Sequence, residues 1–133
     1  MTPEREEALK LLYLAQADRD TFVYLIPAAH LRDASVLFHA QQAIEKAFKA
    51  VMTANSVPFG RTHNLLTLAA ALLENGIETP CPPDEVAVLN SYAVLFRYDD
   101  EDIALVSRIE AEVMVSHVLT WAESVLVLDN RRI

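Results

Sequence analysis

Phe38-His39-Ala40-Gln41-Gln42-Ala43-Ile44-Glu45-Lys46-Ala47-Phe48-Lys49-Ala50 carries two stripes at helical spacing. With 3.6 residues per turn, Leu37, Ala40, Ile44, Ala47, Phe48 and Val51 line one side of a helix. His39, Gln42, Lys46 and Lys49 follow at i, i+3, i+7 and i+10 along a neighbouring strip. The first stripe predicts packing, and the second is the natural place to look for chemistry.

Outward from this helix the chain keeps the same character. It has 133 residues, 53% of them hydrophobic, with two glycines and six prolines. No strict apolar/polar alternation runs long enough for a sheet, so the expectation is all-α, an up-and-down bundle of four to five helices in one domain spanning 1–133. Thr2 as N-cap, Pro3 in the first turn and the acids after it predict a first helix. Its inward stripe is Leu9, Leu12, Tyr13, Gln16, Ala17, Phe22 and Leu25, and Pro27 stops it. Asp33 or Ser35 caps the second helix, which runs to about residue 54. Thr62 caps a third over 63–75, closed by Asn75-Gly76 in a left-handed turn. Asp84 opens a fourth helix bearing Val86, Leu89, Tyr92, Ala93 and Phe96, and a last long helix covers about 103–128. That helix is apolar around much of its circumference, which is met either by a central place in the bundle or by a homodimer.

The net charge of −8 argues against nonspecific DNA binding, because backbone binding needs clustered cations to release counterions. The single cysteine, Cys81 between Pro80 and Pro82, excludes an internal disulfide and points to a reducing compartment. The charged N-terminal stretch lacks the pattern of a signal peptide, and no apolar run approaches the ~18 residues of a membrane span. A cytoplasmic protein without a membrane partner is the expectation.

The order and spacing of the 38–50 stretch, then Arg61-Thr62-His63-Asn64-Leu65, then Arg97-Tyr98, resemble a HEPN domain (higher eukaryotes and prokaryotes nucleotide-binding) of the stand-alone prokaryotic kind. The resemblance implies a helical bundle that usually dimerises. It also implies a minimal nucleotidyltransferase as partner, the two forming a toxin-antitoxin-like pair. Many members of such families cut RNA without a metal through an Arg-x(4–6)-His signature, and others bind nucleotide without catalysis. Here Arg97 is followed by Tyr98 and the acidic run Asp99-Asp100-Glu101-Asp102, with no histidine at the required spacing. Arg32 and His39 have a permitted spacing but lie at the start of the second helix. The resemblance therefore implies nucleotide or RNA binding with a metal-independent ribonuclease as the alternative, and a non-catalytic dimeric adaptor as a third reading. No cofactor and no metal are expected.

Ribonuclease chemistry without a metal needs a base, an acid and a cation for the developing phosphorane charge. His39 and Arg97 are the catalytic candidates, and His39, Gln42, Lys46, His63, Arg97 and Tyr98 the candidate ligand contacts. Each also has a plainer account. His39 fits a hydrogen-bonded place within the bundle. His63, just after Thr62, either fixes the start of the third helix through a loop carbonyl or stands where that helix end attracts phosphate. Lys46 and Lys49 read as solvated cations, Lys49 pairing with Glu45 at i,i+4. The acids at 99–102 form a solvated turn, and His117, Trp121 and Met114 belong to core or dimer contacts.

Overall fold

The structure is a computed structural model that describes residues 2–93 and 106–131, the last four by their backbone. Its elements are all helical. They are α1 (Pro3–Leu25), α2 (Asp33–Ala54), α3 (Leu65–Glu74), the short α4 (Pro83–Val86), a 3₁₀ segment (Ala87–Ala93) and α5 (Arg108–Arg131). The all-α bundle expected from composition and periodicity is what forms.

α2 is the axis of the molecule, packed by α1, α5, α3 and the 3₁₀ segment. The cause is its alanine content, since Ala40, Ala43, Ala47 and Ala50 let neighbours approach on several sides while Leu37, Ile44, Phe48 and Val51 fill the spaces between. All eight are fully buried. Phe48 meets the Trp121 ring of α5 edge-on, centroids 6.0 Å apart at 84°, a geometry worth about 0.5–1.5 kcal/mol beyond area burial.

α1 begins as its sequence indicates. The Thr2 hydroxyl accepts from the Arg5 amide at 3.1 Å. Its inward stripe differs from the expected one. Ala8, Leu12, Ala15 and Phe22 face α2, whereas Tyr13 and Ala17 face solvent. Positions 8, 12, 15 and 22 recur at helical spacing on one face, and Tyr13, about 100° round from Leu12, falls on the exposed side. In α3, Leu65, Leu68, Ala69 and Leu72 are buried, but Leu66 and Leu73 are exposed.

Three helix starts depart from the sequence reading, each for a visible reason. Neither Asp33 nor Ser35 caps α2: the N-cap is Arg32, without a side-chain cap bond, because the Asp33 carboxylate accepts from Arg108 instead. α3 starts at Leu65, two residues late, with Asn64 as the cap. α5 starts at Arg108, because Ser107 and Glu110 bond reciprocally as a capping box: the Glu110 amide to Ser107 Oγ at 3.0 Å and the Ser107 amide to Glu110 Oε1 at 3.2 Å. The expected fourth helix is one short α-turn running into 3₁₀ as far as it is described. Phe96, Arg97, Tyr98 and the 99–102 acids lie outside the described residues.

α2 and α3 end alike. Ile77 donates to the Leu72 carbonyl and Gly76 to that of Leu73, with Gly76 left-handed at φ 78°. Val57 donates to Met52 and Ser56 to Thr53 in the same pattern, but the left-handed residue there is Ser56, at φ 56°. A serine in that region is strained by about 1–2 kcal/mol, partly offset in glycine by the backbone entropy that glycine loses on folding. Ser56→Gly is therefore expected to stabilise the protein by about 0.5–1 kcal/mol. An unchanged or lower urea midpoint would show that the strain is absent.

Candidate functional site

Gln41, Glu45 and Lys49 recur at i, i+4 and i+8 on α2, and all three are buried. The Glu45 carboxylate, 5% exposed, takes three donors. Gln41 Nε2 donates to Oε1 at 3.0 Å, Lys49 Nζ to Oε2 at 3.1 Å, and His63 Nδ1 lies 3.0 Å from Oε2. The cluster closes on itself, because Gln41 Nε2 also reaches the backbone carbonyl of His63 at 3.3 Å and Gln41 Oε1 accepts from Gln42 Nε2 at 2.6 Å. Lys49 Nζ stands 5.2 Å from the centre of the Phe59 ring, a cation–π contact from the loop that covers it.

The expectation that Lys49 is a solvated cation is thus overturned. Its side chain is 11% exposed, and the 55–64 loop folds across it. Burying a charge is tolerated only with a partner and satisfied hydrogen bonds, and Glu45 provides the partner. His63 lies at the outer edge of the cluster. Its side chain is 70% exposed although the carboxylate holding it is sequestered.

The start of α3 is closed by side-chain amides. Asn64 Oδ1 accepts from the Leu66 and Thr67 amides, and Asn90 Oδ1, from the 3₁₀ segment, accepts from the Leu65 amide at 2.7 Å. Asn90 Nδ2 donates to Asn64 Oδ1 at 3.1 Å, and Thr62 Oγ1 accepts from the Asn64 amide. These amides have acceptors within the chain, which removes the phosphate reading of this helix end. His63 does fix the local structure, but through a carboxylate and not a loop carbonyl.

The proposed strip of His39, Gln42, Lys46 and Lys49 is divided by packing. Gln42 joins the Glu45 cluster through Gln41. Lys46 turns to α1 and pairs with Asp18 at 2.5 Å. His39 is half-buried, its ring edge-on to Phe38 at 5.3 Å, and its Nδ1 has no hydrogen-bond partner, so the expected hydrogen bond within the bundle is not made there. Arg97 and Tyr98 lie outside the described residues. The Glu45–Lys49 pair expected at i,i+4 forms, but as part of a buried cluster, and Gln41 and Glu45 were not named as site residues although their i, i+4, i+8 row with Lys49 on an alanine-rich helix was visible.

A different surface runs along α5. One groove of roughly 410 Å³ is lined by Arg19, Val23, Val113, Ser116, His117 and Thr120, and a second of roughly 560 Å³ by Cys81, Glu85, Glu110, Met114 and His117. Burial, with Glu85 nearby, pushes the Cys81 thiol above its usual range, so it stays protonated near neutrality. Among the described residues no group of three or more His, Cys, Asp or Glu side chains could hold a metal ion. Nor is any described helix long and apolar enough to cross a membrane.

The alanine-rich central helix, its Gln-Gln-Ala-x-Glu-Lys-Ala core and the following Thr-His-Asn-Leu loop all lie within residues 8–126, which match the family model of the HEPN domain. The chain belongs to the HEPN family. No curated protein and no solved structure matches it. Membership places this HEPN chain in nucleotide- or RNA-related function in general. Within the described part of this HEPN domain, the Glu45 cluster is where buried charge, fixed geometry and an exposed titratable side chain meet.

Proposed function

We propose that the chain is a HEPN-type nucleotide- or RNA-binding protein that acts, without strong catalysis, beside a minimal nucleotidyltransferase in a toxin-antitoxin-like pair. The observation that carries the binding reading is His63, an imidazole held toward solvent by a buried carboxylate. A fixed polar group can meet a ligand without first losing side-chain freedom. Gln42, at the same cluster, adds a second polar side chain. The partner rests on the family resemblance alone.

Thermal-shift titration with ATP, GTP and a short RNA tests the binding. A ligand at ~100 times its dissociation constant stabilises by about 2.7 kcal/mol, and the shift should shrink in His63→Ala. Cleavage of RNA that survives EDTA would favour the ribonuclease instead. Absence of any shift would favour the adaptor.

The α5 surface supports a homodimer as part of this reading. Ile109, Val113 and Val127 are exposed on it, and Ser116 and Thr120 stand between them. The pattern is nearly palindromic about the level of Val118. An antiparallel second copy would set Ile109 against Val127 and Ser116 against Thr120, small residues falling where the helices cross. Ser116→Arg, a long charged side chain where the helices cross, is expected to convert a dimer in light scattering to a monomer, with helical content retained. A wild-type mass equal to one chain would remove the dimer from the proposal.

A further inference from the structure

We infer that His63 is a hydrogen-bond acceptor for a ribose hydroxyl and so distinguishes ribonucleotides from 2′-deoxyribonucleotides. This rests on the nucleotide- or RNA-binding reading above and specifies which chemical group the site meets. Glu45 Oε2 already receives the Lys49 ammonium at 3.1 Å, so it acts as an acceptor toward the imidazole, and the His63 Nδ1 3.0 Å away is the donor. In a neutral imidazole the other nitrogen then carries the lone pair. The side chain is 70% exposed, and in the neutral form with Nδ1 protonated its remaining acceptor is Nε2. Gln41 holds the same residue by its backbone carbonyl, so ring and main chain are both fixed.

An acceptor selects its partner. Phosphate oxygens have no proton to give, while a ribose 2′-hydroxyl has one, and it is the group that separates RNA from DNA. The nearby cations do not change this. Lys49 is buried against Glu45 and Phe59, and Lys46 is engaged by Asp18. Arg61, two positions before His63, is exposed on the same loop. Glu45 acts here as a positioning residue, setting which imidazole nitrogen bears the proton.

The test compares ATP with 2′-dATP, and short oligo(rA) with oligo(dA), by calorimetry at about pH 8, above the usual titration range of imidazole. Long-range ¹H–¹⁵N spectra of His63 are recorded on the same intact chain. The expected results are a roughly three- to tenfold preference for the ribose form, its loss in His63→Ala, and an Nδ1–H tautomer. His63 is exposed, so this variant should fold, which circular dichroism verifies. Equal affinity for both sugars, a preference that survives His63→Ala, or an Nε2–H tautomer overturns the inference while leaving nucleotide binding intact. Failure of all four probes to bind overturns the binding reading and this inference together.

Discussion

Arg108→Ala is expected to lower the unfolding free energy by about 2–4 kcal/mol, because several charge-assisted, part-buried hydrogen bonds are lost together with the ion pair to the one-third-exposed Asp33. The guanidinium is 15% exposed and all three of its nitrogens are engaged. Nε donates to Asp33 Oδ1 at 2.7 Å. Nη1 reaches the carbonyls of Leu25, Ile26 and Ala28 at 3.3, 2.9 and 3.0 Å, and Nη2 that of Leu31 at 2.7 Å. The last carbonyls of a helix have no partner within it, so one side chain closes the end of α1, orders the 27–32 connector and ties both to the first turn of α2. Truncation removes the donor from the Ile26 and Leu31 carbonyls and the charge partner from Asp33, while the Leu25 and Ala28 carbonyls keep the backbone amides of Ala28 and Leu31. Arg108→Lys should recover only part of the loss, because an ammonium is a point charge and cannot present the planar fork. Urea denaturation with both midpoint and slope checks this. A loss below about 1 kcal/mol for the alanine variant would mean that water replaces the guanidinium at little cost.

Glu45→Ala is expected to cost about 3–5 kcal/mol, because it leaves the Lys49 ammonium buried without its carboxylate. It also releases Gln41 and His63 from their shared acceptor. The informative comparison is a double-mutant cycle. With Glu45→Met and Lys49→Met combined, neither charge has to be desolvated and the side-chain volumes are nearly kept. The double variant should then be more stable than Glu45→Met alone, by on the order of 1–3 kcal/mol. Strict additivity of the two single effects would show that the pair is not coupled. His63 should become more mobile in either Glu45 variant, a change visible in its ring resonances.

Much of the architecture was legible in local patterns. Thr2-Pro3 marks the start of α1, Asn75-Gly76 the end of α3, and the Leu37 to Val51 stripe the buried side of α2. Two further signals were also present in the chain, the Ser107-x-x-Glu110 box and the Gln41-Glu45-Lys49 row. Arg108 carried no such signal. Its partners lie 75 to 83 residues earlier in the chain, and no local pattern announces contacts of that separation. The same holds for Asn90, which meets the α3 start from 25 residues away.

The candidate site divides in the same manner. His63, Gln42 and Lys46 could be named from residue type and spacing, but their partners could not. On an isolated helix Lys46 and Lys49 are equivalent solvated cations. In the folded chain one faces Asp18 of α1 and the other lies beneath the 55–64 loop against Glu45.

By itself the sequence determined the helical class and the family, because helical periodicity, caps and the alanine-rich motif are properties of neighbouring residues. Only the tertiary structure decided which charges are buried, which histidine is held by a buried carboxylate and which helix end is already closed. Those outcomes depend on what stands opposite each side chain. A carboxylate is a surface ornament or the anchor of a site according to whether a distant loop folds over it and excludes water.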